Sequence, residues 1–495
     1  MHKHQYIKGH ENVSALPNFV GHVFRLWTFA SLNSQMRVSV MPKQAWSRHS
    51  TYAFVVFRLS SFVLLLLLAA CSDFIHPVKS TPEPTEYSFN YWLLQRVYLY
   101  EDELPNLPEE GDSVQILYRT LKDRFTNYTP PAQSEAKATQ TNTSLVIGGD
   151  VGMRYYNITN VEYPIFIARV YPKSPAGKAH VPRYGNILNV NGIELKGGNA
   201  KATYDSVLTY NKNINILVTY KGNTTLFKLQ KEEVYAPTVF VDTSFKDSAK
   251  GYPGIIFITI EGFKPKTADQ DSGSYGELKA YLDSTKADKR VRILDLRGNP
   301  GGHVNQCLAM ADLFVSEGTL STRYMRLLGP DGDTQKYTLT VKAKSGDAGE
   351  NGKYIIIGNQ GSASCAEIFI AAVTETTDIP FIGRTTYGKG VGQTNYDTYA
   401  GGIATITDLE FLTPKGNSYH GKGIVPQYTC ENIISNNCAA QYANKLYGVK
   451  IPMQNDALAK QATELVENSI TEFAGGAIEW ADSDFYLKSF ENSHQ

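Results

Sequence analysis

The chain has 495 residues, 42% hydrophobic and 19% charged, which excludes a largely disordered protein and allows two to four domains with sizeable cores. Lys plus Arg and Asp plus Glu both number 48, so the formal charge is zero, no basic stripe stands out, and no nucleic-acid partner is expected. The 31 tyrosines suit amphipathic surfaces and grooves but select no single function.

Residues 1–40 read as an over-extended start ahead of Met41. From there Lys43, Arg48 and Arg58 supply a positive n-region, and the apolar run Phe62 to Ala70 is too short to span a bilayer in the usual way and reads as a signal h-region. Leu68-Ala69-Ala70-Cys71 resembles a bacterial lipobox. That resemblance implies a signal peptide over 41–70, lipidation of Cys71 and a membrane anchor facing the periplasm or the cell surface. A signal anchor with an incidental cysteine is the alternative. Residues 71–86, Pro- and Ser-containing, read as a tether.

"SFNYWLLQRVYLY" and "DSVQILYRTLKDRF" carry helical patterning. In the second, Val114, Leu117, Leu121 and Phe125 fall on one face and Asp112 can cap it. A small helical segment over 87–135, packed on something else, is the expectation. From 143 to 232 the pattern turns to short β-rich runs, "IFIARV", "NILNV" and "INILVTY". Here Ser174, Pro175, Ala176, Val190, Asn191 and Gly192 resemble a PDZ domain, with Asn186 where Asp is usual. The resemblance implies that Val151, Gly152 and Met153 form a peptide-binding loop, as PDZ domains grip peptide C-termini with backbone amides at a sheet edge. A β-rich spacer without a ligand is the competing reading.

From 250 to 430 strands and helices alternate, which argues for an α/β core. "DLRGNPGGH", Asp295 to His303, ends a buried strand in a Gly-rich turn whose amides can approach a ligand. "SASCAEI" places Ser364 three residues before Glu367 at the start of an apolar run, the pattern of a helix capping box. Ser364 is therefore a helix cap, a nucleophile, or both. In "TTYGKGVGQ", Lys389 lies between two glycines with Gln393 four residues on; the order required of a phosphate-binding loop is absent, and a solvated surface lysine is the plainest reading. Six of the ten histidines precede residue 80, so a Ser-His-Asp triad has only His303 or His420 to draw on, and a Ser–Lys pair is more economical.

These motifs, in this order behind a PDZ-like segment, resemble the C-terminal processing peptidases (tail-specific proteases). The resemblance covers roughly residues 86 to 430. It implies a crotonase-like α/β core, Ser364 as nucleophile, Lys389 as base 25 residues on, Gln393 orienting the lysine, and the amides of Gly302 and Cys365 as an oxyanion hole. It also implies protein or peptide substrates, with the PDZ-like domain sensing them or gating the site, and no cofactor or metal. Cys365 and Ala366 depart from the family's usual Ala and Ser, and Gln427 stands where Asp is common. A catalytically silent peptide-binding or scaffold relative, and a crotonase-like enzyme acting on a thioester, are the competing classes.

No cysteine pair has zinc-ligand spacing with a second pair. Cys430 and Cys438 lie eight apart; a disulfide in an oxidising compartment and two free thiols are both compatible with that spacing. Residues 431–495 read as a C-terminal helical extension, and the oligomeric state is not encoded in any motif.

Overall fold

The computed structural model describes residues 84–106, 113–158, 161–268, 272–329, 333–431, 433, 436–451 and 477–480. The expected signal peptide, Cys71 and the expected tether up to residue 83 lie outside the described residues, as does most of the tail; residues 84–86 lead directly into the first helix.

The N-terminal segment holds α1 (Glu86–Val97), α2 (Val114–Arg119), β1 (Asn127–Thr129) and α3 (Pro131–Asn142). Helix α1 buries Phe89, Trp92, Leu93 and Val97 against Leu328, Tyr396, Ala404 and Ile406 of the core. The helix expected to reach Phe125 stops at Arg119. It is capped by Ser113, whose Oγ accepts the Ile116 amide, while Asp112 lies outside the described residues. Beyond it, Asp123 accepts the Phe125 amide at 2.9 Å and the Thr126 hydroxyl at 2.6 Å. An aspartate bonding the backbone two residues on makes a turn, and a turn outcompetes a short helix. Leu121 and Phe125 therefore leave the helical face, and the segment is more than a helical bundle, because β1 joins a core sheet.

The β-rich module is built from β2 (Leu145–Asp150), β3 (Met153–Asn157), β4 (Ile165–Val170), α4 (Pro175–Lys178), β5 (Asn186–Val190), β6 (Ile193–Glu194), α5 (Ala200–Tyr210), β7 (Asn213–Tyr220), β8 (Asn223–Gln230) and β9 (Glu232–Tyr235). Its main sheet runs β3-β4-β5-β7-β8 with β6 beside β5, so β3 is an edge; β2 pairs with β9 separately. Alternating residues such as Ile165, Ile167, Ile214, Ile216 and Val218 fill a core of its own with Tyr204 and Val207 of α5.

The remaining elements are β10 (Val239–Asp242), β11 (Ile256–Ile260), α6 (Gly273–Ser284), β12 (Arg292–Asp295), α7 (Val304–Asp312), β13 (Thr319–Leu328), β14 (Thr334–Lys342), β15 (Tyr354–Gly358), α8 (Cys365–Thr376), β16 (Phe381–Gly383), β17 (Val391–Asp397), β18 (Ile403–Leu412), β19 (Tyr428–Thr429), α9 (Asn437–Tyr447) and β20 (Ala477–Trp480). One sheet runs β10-β11-β12-β15-β16-β19, parallel from β11 onward. Its central strands are buried on both faces, which explains the unbroken "IFITI" and "YIIIG" runs. The second sheet runs β14-β13-β18-β17-β20, with β1 also paired to β18. Helices α6, α7 and α8 contribute Leu278, Leu308 and Phe369 to the largest core. The tail is not wholly helical: β20 pairs in parallel with β17, Gln393 opposite Ile478, covering an edge that would otherwise stay open.

Candidate active site

The site forms where three strand-to-helix or loop-to-strand junctions meet. Strand β12 ends in the Asp-Leu-Arg motif. Arg297 bonds Asp295 at 2.6 Å, the Ile433 carbonyl at 2.8 Å and Asn436 at 2.7 Å, tying the turn to the segment closed by the Cys430–Cys438 disulfide. Asn299, fully buried, donates to the Ile260 carbonyl and accepts the Gly301 amide, both at 2.8 Å, and its carbonyl takes the Ala363 amide at 2.9 Å. It therefore fixes the glycine turn and the approach to Ser364 together.

Both glycines of that turn are required. Gly301 has φ +103°, and a Cβ there would lie 2.9 Å from Ser364 Cβ and 3.0 Å from the Cys365 nitrogen. At Gly302, φ +148°, a Cβ would lie 2.1 Å from the Phe263 carbonyl oxygen. Among the described residues the Gly302 and Cys365 amides donate to no backbone acceptor. Two unengaged amides beside one hydroxyl are the elements of an oxyanion hole.

Ser364 opens helix α8 in the capping-box arrangement with Glu367, but its hydroxyl accepts no well-formed hydrogen bond. Its Oγ is buried with no hydrogen-bond partner, and its backbone is at φ +56°, ψ −117°, a region that costs a non-glycine residue roughly 1–3 kcal/mol. The strong half of that box is the carboxylate of Glu367. Its Oε2 accepts the amides of Ser364 (2.8 Å) and Lys389 (2.7 Å), and its Oε1 accepts the Gly388 amide and the Thr386 hydroxyl, both at 2.6 Å. Burial raises the Glu367 carboxyl above the usual carboxylate range, and the four donors oppose that shift. Its role is thus larger than the local helix start the sequence suggested.

Lys389 is not a solvated surface lysine: it is 2% exposed. Its flanking glycines are pressed against the loop 420–423, a Cβ on Gly388 lying 2.9 Å from the Gly423 nitrogen and one on Gly390 2.9 Å from the His420 nitrogen. The Lys389 ammonium nitrogen donates to Gln393 Oε1 at 3.0 Å, and Gln393 Nε2 donates to Thr407 Oγ1 at 2.9 Å. A register shift between Gly392 and Gln393 in the β17–β18 pairing aims Gln393 at both partners. The Phe125 ring centroid lies 4.0 Å from Lys389 Nζ. Two effects compete there. An aromatic face attracts an ammonium by about 0.5–2 kcal/mol. Desolvation wins, taking the lysine from its ordinary 10.5 to about 7, roughly 5 kcal/mol in favour of the neutral amine. Asp123 and Glu367 pull against that shift, and Arg124 adds to it.

The two histidines fall elsewhere. His303 precedes α7, its Nε2–H donates to the Thr141 carbonyl at 3.0 Å, and burial holds its pKa down at about 4. His420 backs onto Gly390, with its Nδ1 buried and unpartnered and its pKa lowered by burial. Ser364, with no partner on Oγ, bonds neither.

Cys365 adds something no spacing announced: it is joined to Cys307 of α7 across 58 residues, linking the helix after the glycine turn to the helix after Ser364. In the β-rich module, Val151 and Met153 are buried in its core, so only their backbone is available to a peptide. The Val151 amide is taken by Asp150 Oδ1 at 2.6 Å. A cavity of about 540 Å³ separates this loop from the glycine turn, with Met153, Arg154 and Tyr171 on one wall and Gly301, Gly302 and His303 on another. Among the described residues no three His, Cys, Asp or Glu side chains cluster to hold a metal, and no helix is long and apolar enough to cross a membrane.

Comparison with known proteins agrees with the geometry. Residues 254–430 match peptidase family S41. The S41 match spans β11 through β19, and so includes the glycine turn, Ser364, Lys389 and Gln393. The chain is 28% identical over 327 residues to the carboxy-terminal processing protease CtpA of Bacillus subtilis strain 168, covering 64% of this chain and 63% of that protein. A candidate CtpA-like serine protease of Staphylococcus aureus strain COL is 27% identical over 343 residues, covering 69% and 63%. The chain thus spans about six tenths of these relatives' length. A solved structure of a candidate S41 protease from Bacteroides fragilis NCTC 9343 shares the fold at TM-score 0.52 and 14% identity, over 78% of this chain and 97% of that one.

The residues that sequence reading missed are Asn299, Thr407, Phe125 and Cys307. Asn299 stood inside a motif already singled out; the others act across long sequence separations with no local signal.

Proposed function

We propose that this chain is a serine endopeptidase of the C-terminal processing type, using Ser364 as nucleophile and Lys389 as general base on a crotonase-like core. The observation that carries the reading is Lys389: a buried amine with a pKa of about 7, held by Gln393, on a loop sharing the Glu367 carboxylate with Ser364. A neutral lysine can take the Ser364 hydroxyl proton as Oγ attacks a peptide carbonyl carbon. The carbonyl electron pair moves onto oxygen, where the Gly302 and Cys365 amides stabilise it by about 3–4 kcal/mol per donor. Collapse expels the amine, which leaves with the proton from Lys389, and water activated by the same lysine then releases the acyl group from Ser364.

The edge strand β3 and the cavity running to the glycine turn support a role for the PDZ-like module in presenting a peptide, with Gln393 orienting the base throughout. Lipidation at Cys71 would place the enzyme on a membrane of the cell envelope, where Cys430–Cys438 suits an oxidising compartment. One observation favours a catalytically silent, peptide-binding relative: Ser364 Oγ does not bond Lys389 in this arrangement. Catalytic hydrogen bonds commonly tighten only with substrate bound, so the resting geometry is compatible with activity. The test is cleavage of an unfolded protein by the full chain, with Ser364→Ala and Lys389→Ala beside it. Cleavage by the parent alone supports the peptidase; binding of the unfolded chain without cleavage by any of the three supports the silent reading.

A further inference from the structure

Lys389 stays dry only if something covers it, and its own loop does not supply the cover. Gln393 and Thr407 lie on one side, and Glu367 engages the lysine through its backbone. Direct cover also comes from the N-terminal segment, outside the stretch that matches family S41. The Phe125 ring, in the connection between α2 and β1, stands 4.0 Å from the ammonium nitrogen.

The connection that carries the ring is fixed by backbone and side-chain hydrogen bonds, and the ring itself is touched by Arg124. Asp123 takes the Phe125 amide and the Thr126 hydroxyl, fixing the turn. Thr126 Oγ1 accepts the Thr407 amide at 2.9 Å, and Thr407 is the residue that holds Gln393. Arg124 lies 4.9 Å from the Phe125 ring and 5.4 Å from the Tyr387 ring, bridging the segment to the lysine loop. From these contacts, and resting on the reading of Lys389 as base, we infer that Phe125 is a positioning residue whose ring excludes water from Lys389 Nζ, making the N-terminal segment an integral part of the peptidase site.

The charged groups facing the lysine are Asp123 and Arg124 of the same connection, Glu367 of α8 and His420 of the loop after β18. Of these only Arg124 touches the ring, so each Phe125 variant is also titrated in an Arg124→Gln background, where a change in the lysine's titration reports the ring alone. The ring could act in two opposite ways. As a cover it favours the neutral amine; as an electron-rich face it favours the ammonium. Leucine preserves cover and removes the face, while alanine removes both.

The experiment is titration of the full chain carrying ¹³C-labelled lysine, with the Lys389 signal assigned by its loss in Lys389→Met. In the parent the midpoint lies near 7. Phe125→Leu is expected to keep it there or lower it, and Phe125→Ala to raise it by about one pH unit or more as water enters. The acid limb of cleavage should move to higher pH in step with the alanine variant. Lys137 provides an internal control, because it bonds Asn127 of β1 and Thr405 of β18 and has its own lowered pKa of about 8. If alanine detaches the segment, Lys137 moves too, and the smaller truncation Phe125→Val, with Lys137 in place, then decides. A midpoint that stays put or falls in the truncated variant with Lys137 unmoved overturns the inference. The titration is readable whether or not the chain cleaves. Cleavage that persists in Lys389→Met would instead remove the function reading and leave the role of the ring to the titration.

Discussion

The backbone amides of Ser364 and Lys389 donate to one oxygen, Oε2 of Glu367, at 2.8 and 2.7 Å. The two groups proposed to do the chemistry lie in different elements, and this carboxylate is what sets one against the other. Because every partner of Glu367 donates, an amide in its place would turn donor against donor. Glu367→Gln should lower stability by about 3 kcal/mol, the penalty for buried polar groups left unpaired. Cleavage should fall about 100-fold, as expected of a misplacement near 1 Å. Chemical denaturation and initial rates on an unfolded protein measure the two losses; unchanged rates would show that the shared oxygen does not align the pair.

Lys389 fixes a pH dependence. With Lys389 as the proposed base, cleavage requires the neutral amine, so the rate should rise through pH 7 and level off above it. The same shift has a stability consequence. Between about 7 and 10.5 the unfolded chain binds a proton that the folded chain does not, so stability climbs with pH across that window. Lys389→Met should therefore abolish cleavage while stabilising the fold by about 1–3 kcal/mol at pH 8, seen as a raised melting temperature.

His303 separates a Ser–Lys site from a triad. Its folded pKa of about 4 is depressed from 6.5, so its contribution is fully present above 6.5 and is lost as pH falls through that interval. About 3 kcal/mol is at stake. His303→Asn should flatten the stability profile there while cleavage persists with its acid limb still near 7. Abolished cleavage in a folded variant would bring the histidine back as the base.

The Cys307–Cys365 disulfide closes a 58-residue loop, for which the chain-entropy account gives about 4 kcal/mol. Cys307→Ala with Cys365→Ala should lower unfolding free energy by up to that amount. The Cys365 amide remains in alanine, so cleavage should survive below the new melting temperature. Complete loss of activity in a folded double variant would mean that the disulfide itself aligns the amide.

Much of the α/β core was legible because its strands are buried on both faces and read as unbroken apolar runs, as with "IFITI" and "YIIIG". The short motifs around Ser364 and Lys389 were legible because close backbone approach demands glycine at Gly301, Gly302, Gly388 and Gly390. What stayed hidden was tertiary. Phe125 carried helical spacing, and only the Asp123 turn takes it off the helix and over Lys389. Strand β1 is three residues long, too short for a periodic signal, yet it ties the N-terminal segment to β18. Cys307 and Cys365 had no spacing to connect them.

The central claim is that Ser364 is a nucleophile activated by a neutral Lys389. The most direct measurement is labelling of the full chain with a fluorophosphonate at a series of pH values, with the adduct located by peptide mass spectrometry. The account predicts an adduct on Ser364 whose rate of formation rises with a midpoint near 7 and collapses in Lys389→Met. An adduct forming at the same rate in Lys389→Met, or no adduct on Ser364 at any pH, would contradict it.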